Sequence, residues 1–113
     1  MTPKARLRGR DVFAAIGDPT RRKVLDMLVV DSLAAGEIAA RFQVSRPAIS
    51  QHLHVLRRAN LVAVRRSGRE HIYHLNPEPL HEVYDWIAHY SKFWSLKMGE
   101  LGDYLDRISG GEI

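Results

Sequence analysis

Residues 41–74 carry seven arginines against a single acid, Glu70, a local charge of +6 in a protein whose total is +4. The first 40 residues hold seven Lys/Arg against five Asp/Glu, and residues 75–113 hold three against seven, so the positive charge is concentrated in the middle of the chain. Guanidinium groups at that density suit a polyanion, because each neutralises a phosphate and can donate to it twice. On charge alone, a solvated arginine-rich surface explains the pattern equally well. Interleaved with the arginines, however, are Ser45, Ser50, Gln51 and His54, side chains that hydrogen-bond phosphates, sugars or base edges. A second set is His81, Asp85 and His89, spaced i, i+4, i+8. On one helical face these groups suit zinc or nickel, particularly if shared across a dimer. The plainer reading is the polar stripe of an amphipathic helix, and we assign no metal and no cofactor.

These groups need elements to position them. Residues 1–10 alternate basic residues without an apolar period and read as a flexible arm. Asp11 caps a short helix through Ile16, which Gly17 ends, and Asp18-Pro19 restarts a helix that runs to about Val30. Val24, Leu25 and Leu28 mark its inner face, and Asp31-Ser32 breaks it. A third helix spans about Ala35 to Phe42, with Ile38, Ala39 and Phe42 turned inward. After the link Gln43-Val44, Ser45 caps a fourth helix with Pro47 in its first turn, running to about Ala59. On it Ile49, Leu53 and Leu56 fall within about 60° of one another, opposite Pro47, Gln51, His54 and Arg58. The same wheel puts His52 nearer the inner side, where it is expected half-buried and bonded to a neighbouring backbone carbonyl. Asn60 is the expected left-handed residue at the helix end. The period then changes: Leu61–Arg66 and Glu70–Leu75 read as two strands around a Ser67-Gly68 turn. A last helix is expected from about Pro79 to Arg107, interrupted near Ser91 or Gly99, before a tail at 108–113.

The resulting class is mainly α with a small β-hairpin, in the order of a winged helix-turn-helix, and residues 11–107 are expected to form one domain. A helix about 10–12 Å across fits the DNA major groove, which assigns roles within the fourth helix. Gln51 is the best base reader, since its amide can pair with adenine. Arg46 reaches guanine or phosphate, while Ser45 and Ser50 suit phosphate or sugar. Pro47, His54 and Arg58 share that face. Arg65, Arg66 and Arg69 surround the hairpin turn, a position from which arginine reaches phosphates or the minor groove. Trp86, Tyr90, Phe93, Trp94 and Leu101 supply the last helix with an apolar face best explained by burial across a homodimer. A protein-interaction module of the same fold, indifferent to duplex sequence, is the alternative from another class.

Composition narrows the remainder. The chain is 45% hydrophobic and 27% charged, which is ordinary for a globular protein. No apolar run approaches a membrane span, and no h-region follows the charged N-terminus, so a cytoplasmic protein without a membrane partner is expected. There is no cysteine and no Gly-rich phosphate loop, and the serines with nearby histidines lie on the arginine-bearing helix rather than in a cleft. An enzyme is therefore not expected.

Four segments together resemble the ArsR/SmtB repressors: Asp18-Pro19-Thr20-Arg21-Arg22, Gly36-Glu37-Ile38-Ala39, Ser45 through Leu53, and Val55 through Val62. The likeness continues through Arg66-Ser67-Gly68-Arg69 and Tyr73-His74-Leu75, covering about residues 11–76 in order. The resemblance implies a homodimer on a palindromic operator, repressing transcription and often its own gene. It also implies an interface from the first and last helices, which places Val12 and Phe13 there with the last-helix aromatics. Two departures stand out. Gln43 occupies a place where the family often has glycine, so a left-handed residue there would cost about 1 kcal/mol. The cysteines or paired ligands of the family's metal sensors are missing, so the chain looks more like its metal-independent members. A metal-sensing repressor using His81, Asp85 and His89 is the alternative within the fold.

Overall fold

The computed structural model describes residues 11–93 and 107. The expected arm, the expected tail, Trp94 and Leu101 lie outside the described residues. The chain divides into two compact units, the first ending at Glu82 and the second beginning at Val83.

Asp11 opens α1 (Val12–Ile16), its carboxylate accepting from the Phe13 amide at 2.8 Å. A five-residue helix leaves most of its carbonyls without internal partners, and the next helix supplies them. Arg21 donates to the carbonyls of Ala15 and Ala14, at 2.6 and 3.1 Å, and Arg22 to that of Ile16 at 2.8 Å. Gly17 ends α1 as expected, yet in a right-handed conformation with φ −71°. The Asp18 carboxylate then accepts from the Thr20 and Arg21 amides and starts α2 (Pro19–Val30), which buries Val24, Leu25 and Leu28.

A two-residue strand, β1 (Leu33–Ala34), leads into α3 (Ala35–Ala40). The Glu37 carboxylate accepts from the Ala34 amide at 2.9 Å, filling the place of a missing polar cap. The helix stops two residues short of expectation, because the amides of Arg41 and Phe42 bond only three residues back, to Ile38 and Ala39. Gln43 is not left-handed: among described non-glycine residues only Asn60 has a positive φ, so the expected cost in this turn does not arise. α4 (Arg46–Arg58) begins at Ser45, whose hydroxyl accepts from the Ala48 amide at 3.2 Å.

α4 closes in a Schellman arrangement. Asn60, at φ +62°, donates to Arg57 O at 2.9 Å, and Leu61 to Leu56 O at 3.0 Å. Leu61 is fully buried beneath the turn it completes. The chain then forms the hairpin of β2 (Val62–Ser67) and β3 (Glu70–Leu75), in register from Val62↔Leu75 to Ser67↔Glu70. Its turn residues are Gly68 and Arg69, one later than expected, with Gly68 at φ +62° as a two-residue hairpin loop requires. The sequence reading missed β1, which pairs with β3 to make a sheet of order β1-β3-β2. Two residues carry no readable period.

The architecture is the expected one, mainly helical with a small antiparallel sheet. Val24, Ile38, Ile49, Leu56 and Leu61 are its largest fully buried side chains, and among the described residues no polar or charged residue is buried. α5 (Leu80–Ala88) forms the first part of the expected last helix, helical backbone resumes at 91–93, and residues 94–106 lie outside the described residues. Beyond Ala88 the amides of His89, Tyr90 and Phe93 bond three residues back, close to the expected break at Ser91. No helix among the described residues is long and apolar enough to cross a membrane.

The left-handed cap at Asn60 generates a test. Asn60→Val should lower unfolding free energy by about 1–2 kcal/mol, whereas Asn60→Gly should be neutral or stabilising. Urea denaturation distinguishes them; equal stability of the two variants would contradict the cap.

Candidate nucleic-acid interface

α4 presents two sides. Ile49, Leu53 and Leu56 are at most 2% exposed, and Ala48, His52 and Val55 are half-buried beside them. The remainder of the helix is exposed: Arg46, Pro47, Ser50, Gln51, His54, Arg57 and Arg58. Ser45, which caps the helix, is exposed as well. The Arg46 side chain runs beside α3, its Nη2 3.7 Å from where a Cβ on Gly36 would stand, an ordinary contact distance. Arg57 shares the outer side of the last turn with Arg58; the sequence reading passed over it, although its adjacency to Arg58 was the available signal.

Arg65, Arg66 and Arg69 are also exposed. The ladder opposes Arg65 to Ile72 and Arg66 to His71, so the two adjacent arginines leave the hairpin on opposite faces. Arg66 bends toward the turn, its Nε donating to Gly68 O at 3.3 Å. Both ends of the hairpin are fastened to the end of α4. The Asn76 amide donates to Leu61 O at 2.8 Å, and its side-chain Nδ2 donates to Asn60 O at 2.7 Å. By sequence Asn76 marks only a closing turn, because its partner lies 16 residues away.

His52 is half-buried as expected, but its partner is not a carbonyl. Its Nδ1 lies 3.1 Å from Nη1 of Arg21 on α2. Asp18, three residues before Arg21, has a pKa below its ordinary 3.8. Burial pushes this carboxyl up, and the amide hydrogen bonds from Arg21 and Thr20, with electrostatic attraction to the His52–Arg21 pair, outweigh that effect. A second long-range pair joins Ser32 Oγ to His74 Nδ1 at 2.7 Å.

The residues expected at a dimer interface separate. Val12 is 2% exposed and packed inside this chain, and Phe13 is half-buried. Trp86, Tyr90 and Phe93 are exposed, as are Tyr84 and Ile87, which the sequence reading did not single out. The Trp86 and Tyr90 rings meet edge to face, with centroids 5.7 Å apart. Among the described residues no three His, Cys, Asp or Glu side chains converge to hold a metal ion, so one chain does not gather His81, Asp85 and His89 into a site.

Comparison with known proteins gives concordant matches. Residues 18–64 match the family model described as "Bacterial regulatory protein, arsR family". The chain is 41% identical to the transcriptional repressor SdpR of Bacillus subtilis over 71% of its own length and 89% of that protein. It is 37% identical to the HTH-type transcriptional regulator Rv2034 of Mycobacterium tuberculosis, over 83% and 85% of the two chains. Among solved structures, an ArsR-like transcriptional regulator from Rhodococcus sp. RHA1 superposes with a TM-score of 0.64 at 29% identity, covering 92% of this chain and 96% of that one.

Asp18 provides the pH test. A carboxyl whose folded pKa is lowered contributes stability above its unfolded value, and loses it as pH falls through the folded one. Asp18→Ala should therefore cost about 0.5–1 kcal/mol near neutrality, the lower part of the capping range for a solvent-accessible group. That cost should fade below about pH 3.8. Urea melts of both proteins across this range check it, and a cost independent of pH would refute the assignment.

Proposed function

The chain belongs to the arsR family of bacterial regulatory proteins, a family of DNA-binding transcriptional repressors and not of enzymes, and we propose that it acts as a homodimer on a palindromic operator. The observation that carries this reading is the exposed polar and basic side of α4, fastened through Asn60 and Asn76 to an arginine-bearing hairpin. In it, α4 enters the major groove. Gln51 reads adenine, and Arg46, His54 and Arg58 reach neighbouring bases or phosphates, with Pro47 on the same side. Ser45 and Ser50 hold the backbone at the helix N-terminus. Arg65, Arg66 and Arg69 add contacts to phosphates or the minor groove, and the opposite faces of Arg65 and Arg66 let the hairpin straddle a phosphate ridge rather than lie flat on it. The wing adds affinity more than sequence choice.

For the dimer, the support is the group Tyr84, Trp86, Ile87, Tyr90 and Phe93, all exposed in one copy. Aromatic surface of this kind is costly to leave in water and self-complementary across a two-fold axis. Repression of its own gene belongs to the same reading, as the family resemblance implies. No metal is part of it.

Two tests follow from these assignments. Gln51→Ala should weaken operator binding by about 1–3 kcal/mol and relax preference at one base pair, while Arg69→Ala should lower the slope of log affinity against log salt by about 1. Unchanged affinity and slope in both would remove α4 and the hairpin from the DNA. For assembly, Trp86→Ser with Phe93→Ser should shift the protein from dimer to monomer in light scattering at micromolar concentration. A dimer of undiminished stability would place the interface elsewhere.

A further inference from the structure

Arg21 sits where three helices meet. Its Nε donates to Ala15 O at 2.6 Å and its Nη2 to Ala14 O at 3.1 Å, both at the end of α1, while its Nη1 lies 3.1 Å from Nδ1 of His52 on α4. A guanidinium has five donors and no acceptor, so Nδ1 must accept and the imidazole proton rests on Nε2. The two carbonyls fix the plane of the guanidinium from one edge. The remaining Nη1 is thereby aimed, and it meets His52 from a direction set by α1 and α2.

Direction matters here because the apolar side of α4 does not supply it. Contacts of Ile49, Leu53 and Leu56 are strong but non-directional, and they tolerate some roll of the helix about its axis. A side-chain tip at the helix's outer radius of about 5–6 Å moves about 2 Å for each 20° of roll. That displacement exceeds what a bidentate hydrogen bond to a base edge accepts. His52 follows Gln51 directly in the chain, so a ring held by Arg21 sets where the Gln51 amide arrives.

We propose that Arg21 is a positioning residue for DNA readout, holding the roll of α4 through His52 without itself touching DNA. The proposal rests on the reading of α4 as the helix that docks in the major groove, and it adds a residue on α2 to the determinants of specificity.

The test uses the full chain and a duplex enriched from a random-sequence library by the wild-type protein. Arg21 also satisfies the Ala14 and Ala15 carbonyls, so the His52 variants lead. His52→Leu removes the acceptor and should bind about tenfold more weakly, the factor one lost hydrogen bond carries. Its salt slope should stay that of wild type, since no phosphate contact is lost, and preference at the base read by Gln51 should relax. His52→Asn, whose Oδ1 can accept from Arg21, should recover to within about threefold of wild type. With Arg21→Met already in place, which leaves no donor for Nδ1, His52→Leu should cost little more, because the pair acts as a unit. Should leucine prevent folding, His52→Ala makes the same comparison. Wild-type binding by His52→Leu, asparagine as weak as leucine, or additive losses in the double variant would each overturn the proposal. A library that yields no enriched sequence would overturn the docking reading and this inference together, whereas enrichment with unaffected His52 variants would overturn this inference alone.

Discussion

Ile49, Leu53 and Leu56 are shut away from water along one side of α4, and most of the first unit is arranged to keep them there. Burying each of these side chains stabilises the fold by about 1.5–3 kcal/mol, so the stripe is a large share of a small core. Val24, Leu25 and Leu28 from α2, Ile38 from α3 and Leu61 at the foot of the hairpin are among the other buried residues of that core. The consequence for function is geometric. A helix gripped along one side by apolar contacts must present its other side outward, and here that side carries Gln51, His54 and Arg58.

Apolar burial holds the helix, but directional groups aim it. The end of α4 is turned by Asn60, sealed by Leu61 and tied to the far end of the hairpin by Asn76. Its middle is met by Arg21, whose fork also completes the five-residue α1. The buried core is free of polar residues among those described, so these hydrogen bonds lie at its margin, where water can compete and each one is worth about 1 kcal/mol. Small energies at the margin therefore decide orientation, while the larger apolar term decides that the helix is held at all. This division suits a DNA reader, whose recognition side chains must arrive within ångströms although most of its stability comes from elsewhere.

Much of this was legible in the sequence, for reasons that can be named residue by residue. Asp11, Asp18 and Ser45 cap helices because their short side chains reach amides two or three residues on, a local geometry that needs no tertiary partner. Ile49, Leu53 and Leu56 declare their side by period, and Gly68 and Asn60 mark positive φ by residue type. The divergences share the opposite property. Gln43 avoids the left-handed conformation because α3 ends early in tight turns, and β1 exists only because β3 lies beside it. Val12, which only the family resemblance placed at an interface, is packed inside the chain.

The amino-acid sequence by itself determined the order of elements, the side α4 turns to the core and the concentration of arginine outside it. Each follows from interactions among residues a few positions apart, or from composition, and such information survives without a fold. Only the tertiary structure decided that His52 accepts from Arg21 across 31 residues, that Ser32 meets His74 across 42, and that Asn76 closes on Asn60. It also decided that Arg65 stands opposite Ile72 and Arg66 opposite His71, since cross-strand partners depend on the register of the ladder. Long-range partners of this kind carry no sequence period, because any of several donors could reach any of several acceptors until the core fixes which are adjacent.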